Sequence, residues 1–131
     1  MRARAVLIIP AFNESASIER VLEGITEAQT GCEIVVIDDG SSDGTSEKAV
    51  AKGAKVIRHP FNLGYGAALQ TGYKYALSRG ASFLVQMDAD GQHDPGEVEK
   101  LLAPIEAGEF DLIVGSRFLE PTEYKMEPIR N

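Results

Sequence analysis

The stretch Glu33-Ile-Val-Val-Ile-Asp-Asp-Gly-Ser-Ser-Asp-Gly-Thr45, running on through Lys52-Gly53 to Lys55-Val-Ile57, sets out a strand, a turn, a helix and a second strand. Glu33 to Ile37 is a short block rich in β-branched residues, bounded by a turn cluster, as a buried strand requires. Gly40-Ser41-Ser42-Asp43-Gly44 is a turn that supplies capping side chains for a helix through about Lys52. Gly53 ends that helix, and Lys55 to Ile57 reads as a short strand.

The same alternation extends in both directions. Upstream, Ala5 to Ile9 reads as a strand, and Ile18, Val21, Leu22 and Ile25 fall at i, i+3, i+4 and i+7 of a helix with Asn13 or Ser15 as its cap. Downstream, Ala68, Leu69, Gly72, Tyr73, Ala76 and Leu77 mark a helix that begins near Gly64 and closes at Gly80, and Phe83 to Met87 is a fourth strand. Asp94-Pro95-Gly96-Glu97 has an N-cap acid, proline at the first helical position and Glu at the third. Val98, Leu101, Leu102 and Ile105 supply that helix with a buried stripe up to Gly108, with Pro104 expected to end or kink it early, and Asp111 to Val114 is a fifth strand. The resulting βαβαβαβαβ order predicts an α/β domain, a parallel sheet with helices on its faces. From Glu120 the chain loses its periodicity and carries two prolines.

Composition narrows the function classes. The 131 residues make one domain's worth of chain, and 44% apolar residues suffice for one core. A net charge of −7 without any block of consecutive Lys or Arg lacks the electrostatic footprint of a nucleic-acid binder. The apolar runs fall far short of the roughly 20 residues that cross a bilayer, and Met-Arg-Ala-Arg followed by five apolar residues and Pro10 is too short for a signal peptide. The single cysteine, Cys32, excludes an internal disulfide framework and fits a reducing, cytoplasmic setting, where it is expected to be a small residue beside a strand.

Four of the five expected strands, the first, second, fourth and fifth, end in polar residues that have no packing role: Pro10-Ala-Phe-Asn-Glu14, Asp38-Asp39-Gly40, Asp88-Ala-Asp90 and Gly115-Ser-Arg117. Ligands of open α/β sheets bind outside those carboxyl ends, so the clusters form one expected site. Asp88 and Asp90, on an extended backbone, would leave the same face about 7 Å apart and suit a hard divalent cation. Five acids gathered with one Arg would repel one another and any phosphate unless a cation intervened. Taken singly, Asp38 and Asp39 also fit turn capping, Glu14 fits a first-turn helix acid, the Asp88 pair fits a solvated loop, and Arg117 fits a salt-bridge partner. The D-x-D run is not an EF-hand loop, and His93 has no second His or Cys at zinc-ligand spacing. Gln92 is two residues past Asp90 and is a candidate third oxygen ligand. Gly64-Tyr-Gly-Ala-Ala-Leu69 lacks the third glycine of a dinucleotide fingerprint; it is either a helix N-terminus open to a phosphate or a plain turn. No P-loop is present.

Pro10-Ala-Phe-Asn-Glu14, Val36-Ile-Asp-Asp-Gly-Ser-Ser-Asp-Gly-Thr45, Asn62-Leu-Gly-Tyr-Gly-Ala-Ala-Leu69, Asp88-Ala-Asp-Gly-Gln-His-Asp-Pro95 and Gly115-Ser-Arg-Phe118 occur in this order. The series resembles the family 2 glycosyltransferases of GT-A fold, and its D-A-D-G-Q-H-x-P and G-S-R-F forms look most like the branch of dolichyl-phosphate mannose synthase and polyprenyl-phosphate glycosyltransferases. The resemblance implies a Rossmann-like, mostly parallel GT-A sheet and transfer of a sugar, with inversion, from a UDP- or GDP-sugar to a polyprenyl or dolichyl phosphate. It implies that Pro10, Ala11 and Glu14 line the nucleoside pocket, Glu14 towards the ribose, and that Asp39 binds the base with Asp38 beside it. Gly64 would approach the nucleotide, Asp88 and Asp90 would hold Mg²⁺ or Mn²⁺ against the diphosphate, Gln92 would complete the shell, and Arg117 would meet a phosphate. Tyr65 stands where relatives often carry a basic residue.

The family's catalytic domain continues past the G-S-R-F segment. The expectation is therefore a donor-binding half over residues 1–119 and an irregular tail, 120–131, leading to an acceptor half that this sequence lacks. An open sheet edge in such a half would favour self-association, and a lipid acceptor would place the protein at the cytoplasmic face of a membrane. A nucleotide-sugar-binding fragment without turnover and a sugar nucleotidyltransferase are the alternatives; the latter usually begins with a Gly-rich loop after the first strand, which Pro10-Ala-Phe-Asn-Glu14 does not offer.

Overall fold

The structure is a computed structural model that describes residues 5–27, 31–90 and, as backbone, 112–114. Among these residues five strands, β1 (Ala5–Ala11), β2 (Glu33–Asp38), β3 (Lys55–Arg58), β4 (Phe83–Gln86) and β5 (Leu112–Val114), form one sheet in the order β3-β2-β1-β4-β5. Every pairing in it is parallel. Among the described residues three helices lie between the strands: α1 (Ile18–Glu27), α2 (Thr45–Ala51) and α3 (Tyr65–Ser78). The expected α/β class with a parallel sheet is the observed one. The helix expected over 94–108 lies outside the described residues.

Period-two alternation along β1 sends its side chains into two cores. Leu7 and Ile9 face Ile18, Val21, Leu22 and Ile25 of α1 and Ala49 of α2, whereas Val6 and Ile8 face Ala68 and Ala76 of α3. The stripe predicted for α1 is the buried one. Each large aliphatic side chain taken from water in these layers contributes about 1.5–3 kcal/mol. On α3 the buried positions are the small residues Ala68, Gly72 and Ala76, and a Cβ at Gly72 would lie 2.8 Å from Ile8 Cδ1. Small residues thus let the helix lie close on the central strand, while Leu77, expected in the buried stripe, is 75% exposed. Cys32 is half-buried against the first core.

The strand order reverses at β1, whose two neighbours are β2 and β4. The last paired residues of β1 and β4 are Ile8 and Gln86, after which the Met87 N–H donates to the Ile8 carbonyl. β1 nevertheless runs on to Ala11, two residues beyond the Ile9 expected from the sequence. Pro10 has the same parity as Ile8, so its ring nitrogen faces the side where β4 has ended, and its missing N–H breaks no ladder bond. A crevice therefore opens between the ends of β1 and β4, at the switch point where ligands of open α/β sheets bind.

Candidate functional site

A cavity of about 600 Å³ fills this crevice, lined by residues following β1 (Phe12, Glu14), β2 (Asp39), β3 (Asn62, Gly64) and β4 (Asp88, Ala89, Asp90), with Pro10, Ala11, Tyr65 and Ala68. The structure thus brings together Pro10, Ala11, Glu14, Asp39, Gly64, Asp88 and Asp90 of the residues singled out in the sequence. Gln92 and Arg117 lie outside the described residues.

Asp38 is placed differently. It is fully buried and does not line the cavity; its Oδ1 accepts the Ser41 N–H at 2.8 Å and its Oδ2 accepts the Ser46 hydroxyl, with Arg58 Nη1 3.5 Å away. Its carboxylate therefore ties the β2–α2 turn together from below. Its neighbour Asp39 faces the cavity and is 3% exposed. Asp39 Oδ1 accepts from His59 Nδ1 at 2.7 Å and from the Leu63 N–H at 2.9 Å, and Oδ2 accepts from the Gly64 N–H at 2.9 Å. Burial pushes this carboxyl's pKa up, but the hydrogen bonds from His59, Leu63 and Gly64 outweigh it and hold the group below its usual range. The amide of Gly64, the residue that caps α3, is thus directed at a protein carboxylate, an anion in the place the helix dipole favours.

The β1–α1 loop is fastened to the β2–α2 loop strand-end to strand-end. The Asn13 N–H donates to Ser41 Oγ at 2.8 Å, and the Ser42 N–H to Asn13 Oδ1 at 3.0 Å. The Glu14 N–H donates to Thr45 Oγ1 at 3.1 Å, and the Ser15 N–H to Asp43 Oδ2 at 3.1 Å. Asn13 adopts φ +53°, a left-handed conformation that Asn tolerates better than most residues. Asn13 and Ser15 were expected to cap α1; both instead reach across to the neighbouring loop, where Ser41, Ser42 and Asp43 offer hydroxyl, amide and carboxylate partners. The β2–α2 turn also differs from expectation. α2 has Gly44 at its N-cap with no capping side chain, and the Thr45 N–H is met by Asp43 Oδ1 at 3.2 Å. The Thr45 hydroxyl, then the Ser15 backbone and side chain, hold the Asp43 pKa down to about 2.

The Asp88–Asp90 pair is not on extended backbone. β4 ends at Gln86, one residue earlier than expected, and Ala89 and Asp90 form a turn. The two carboxylates share the cavity through that turn and not through the strand pleat. Ala89 between them is buried, and its carbonyl accepts the Ser17 hydroxyl at 2.6 Å. Ser17 Oγ also lies 3.1 Å from Glu14 Oε2, so the Ser17 hydroxyl sits between Glu14 and the acidic turn. Across the cavity the Tyr65 hydroxyl lies 3.3 Å from Asp88 Oδ1.

Among the described residues lining the cavity, four are acids and none is Lys or Arg. A diphosphate entering this field requires a cation. Two carboxylates on a turn are a hard oxygen donor set of the kind Mg²⁺ uses, with phosphate oxygens and water filling the other positions. No cluster of three His, Cys, Asp or Glu side chains placed to hold a metal occurs among the described residues, which by themselves offer no all-protein cage. The residues present fit a cation shared with a phosphorylated ligand.

Sequence reasoning did not single out Ser17, Ser41, Thr45, His59 or Thr71. His59 directly follows β3, and the strand-end rule that found the other clusters also covers it. The hydroxyl residues gave no such signal, because the partners that place them at the site are 12 to 72 positions away in the chain.

Comparison with known proteins gives these features a family. The model of glycosyl transferase family 2 matches residues 6–126. The chain is 39% identical over 122 residues to polyprenol monophosphomannose synthase of Mycolicibacterium smegmatis, covering 88% of this chain and 46% of that protein. It is 35% identical over 145 aligned residues to UDP-N-acetylglucosamine–dolichyl-phosphate N-acetylglucosaminyltransferase of Methanococcus voltae, covering 94% of this chain and 55% of that one. Glucosyl-3-phosphoglycerate synthase of Mycobacterium tuberculosis in complex with UDP superposes with a TM-score of 0.67 at 30% identity, over 80% of this chain and 40% of that one. The same enzyme has been solved with Mn²⁺ and UDP-glucose, with a TM-score of 0.65. The chain spans about half the length of the curated relatives it matches. With its parallel sheet of GT-A type and its cavity at the β1–β4 switch point, the chain belongs to glycosyl transferase family 2.

Proposed function

We propose that this chain forms the donor site of a metal-dependent, inverting glycosyltransferase that moves a sugar from a nucleoside-diphosphate sugar to a polyprenyl or dolichyl phosphate. The observation that carries this reading is the convergence of Glu14, Asp39, Asp88 and Asp90 on one cavity at the switch point of the sheet. In this reading Pro10, Ala11 and Gly64 line the nucleoside, Glu14 accepts from ribose hydroxyls, and Asp39 accepts from the base. Asp88 and Asp90 hold Mg²⁺ or Mn²⁺ against the diphosphate, Gln92 completes the shell, Arg117 meets a phosphate, and Asp38 acts from beneath by anchoring the turn that presents Asp39.

The bound cation would supply Lewis-acid stabilisation of the charge that collects on the diphosphate as the bond to sugar C1 breaks. Asp88 and Asp90 orient the diphosphate, and the buried Ser17–Ala89 bond keeps their turn fixed against Glu14, so the donor is held in one pose. A phosphate acceptor is already anionic; its oxygen attacks C1 opposite the leaving group without a general base, and the sugar inverts. The names of the mannose and N-acetylglucosamine synthases among the relatives support a lipid-phosphate acceptor. Such an acceptor puts the protein at the cytoplasmic face of a membrane. Among the described residues no helix is long and apolar enough to cross one.

A second reading, nucleotide-sugar binding without turnover by this chain alone, rests on its covering about half of those relatives. Calorimetric titration of UDP- and GDP-sugars with and without Mn²⁺ tests the site, and transfer of radiolabelled sugar to polyprenyl phosphate separates the two readings. Metal-dependent binding that Asp90→Ala abolishes is expected; binding unaffected by both metal and substitution would refute the site.

A further inference from the structure

The nucleotide-sugar reading above leaves open which base the site takes, and the hydrogen bonds of Asp39 address it. A carboxylate offers about four acceptor positions, two on each oxygen. Oδ1 receives two donors, His59 Nδ1 at 2.7 Å and the Leu63 N–H at 2.9 Å, while Oδ2 receives one, the Gly64 N–H at 2.9 Å. Among the described residues, one position on Oδ2 is left for a ligand. The arrangement is fixed from behind. His59 is 7% exposed, and its Nε2 is held by Thr71 Oγ1 at 2.8 Å, so the imidazole cannot turn away, and Asp39 is itself buried.

Uracil presents one N–H, at N3, between two carbonyl oxygens, and one acceptor position satisfies it. Guanine presents adjacent N1–H and N2–H donors, which pair with a carboxylate through both of its oxygens. At Asp39 the second of those donors would meet an oxygen already filled, and would be desolvated without a partner. We propose, resting on the nucleotide-sugar reading, that Asp39 selects uridine over guanosine diphosphates, and that His59, by filling Oδ1, is the residue that determines this specificity.

The test is calorimetry on the 131-residue chain with UDP, GDP and 3-methyluridine diphosphate, each at saturating Mn²⁺. UDP is expected to bind about tenfold or more tighter than either of the others, the scale of discrimination that follows when a buried polar group loses its partner. His59→Phe removes the donor to Oδ1 and is expected to bring the UDP to GDP ratio towards one, whereas His59→Asn keeps an N–H near the Nδ1 position and keeps the preference. A ratio taken on one sample cancels the folded fraction, so a merely structural role for His59 would lower both affinities and leave the ratio unchanged; that result would overturn the role of His59. GDP binding as tightly as UDP, or 3-methyluridine diphosphate matching UDP, would overturn the base selection while leaving the nucleotide site standing. Failure of both UDP and GDP to bind the unaltered chain would overturn the nucleotide-site reading and this inference with it.

Discussion

Gly40 is the position where a single methyl group should do the most damage to both fold and site. It adopts φ +80°, and a Cβ built there would lie 2.4 Å from the Phe61 carbonyl carbon, 2.6 Å from the Asn62 nitrogen and 2.8 Å from Phe61 Cα. These are backbone atoms of the segment that goes on to supply the Leu63 and Gly64 amides to Asp39. Ordinary carbon contacts lie near 3.5–4.0 Å, so in Gly40→Ala that segment must retreat by about 1 Å, and no side-chain rotation can relieve it. The left-handed conformation costs about 1–2 kcal/mol for a residue with a Cβ, and overpacking adds about 1–3 kcal/mol, for a total of about 2–5 kcal/mol. With a urea slope of about 2 kcal/mol/M, the middle of the usual range, the unfolding midpoint should fall by about 1–2.5 M.

Gly53→Ala is the control. Gly53 has φ +86° but nothing within 4 Å of its Cβ position, so it carries the conformational cost alone. The difference between the two midpoints isolates the contact with the 61–62 backbone. UDP affinity should fall in Gly40→Ala, whose displaced segment includes a cavity wall, and stay unchanged in Gly53→Ala. Equal midpoint shifts in the two variants, or full UDP affinity in Gly40→Ala, would refute the reasoning.

Three further outcomes follow from the same geometry. Ser17→Ala leaves the buried Ala89 carbonyl without its 2.6 Å donor and should lower stability by about 1–3 kcal/mol in urea unfolding, with weaker Mn²⁺-dependent UDP binding; a loss below about 0.5 kcal/mol would contradict it. Asp43 has a folded pKa of about 2, against an ordinary 3.8, so its stabilising share is present above that ordinary value and is lost as pH falls from about 4 towards 2. Urea midpoints measured across that window should drop less steeply in Asp43→Asn than in the unaltered chain. Gly72→Ala gains about 1 kcal/mol of helix propensity but sets a Cβ 2.8 Å from Ile8 Cδ1 and 3.1 Å from Ile8 Cγ2. Thermal unfolding should show net destabilisation of about 1–2 kcal/mol at most, and a raised midpoint would show that Ile8 yields freely.

The sheet was legible because burial on both faces leaves an unmistakable pattern. β1 and β2 are short apolar runs, α1 carries its stripe at helical spacing, and alternation of the two admits only parallel strands. The positions of Pro10, Glu14, Asp39 and Asp88 at one edge follow from the same reading, since each stands at or just past the carboxyl end of a strand. What the sequence did not reveal are the loop conformations. Asn13 and Ser15 look like caps to any local rule, yet their partners are Ser41, Ser42 and Asp43, brought near only when β1 and β2 pair in register. The turn at Ala89 and Asp90 was likewise hidden, because Met87 continues an apolar run and nothing local marks Gln86 as the strand's last residue.

The acids clustered at the sheet edge separate by what holds them. Asp38 and Asp43 have their oxygens engaged by Ser41, Ser46, Thr45 and Ser15, and they build the turn that fastens to the first loop. Asp39 is intermediate: three protein donors stabilise its charge, yet it faces the cavity. Glu14 meets the hydroxyl of Ser17 and Asp88 that of Tyr65, and no described lining residue carries a positive charge to balance these two acids or Asp90. Neutralisation by Lys or Arg would have filled the cavity with fixed side chains. In the proposed reading, leaving the balance to a cation that arrives with its diphosphate would keep the space open until the ligand is present, and would make binding of the two mutually dependent.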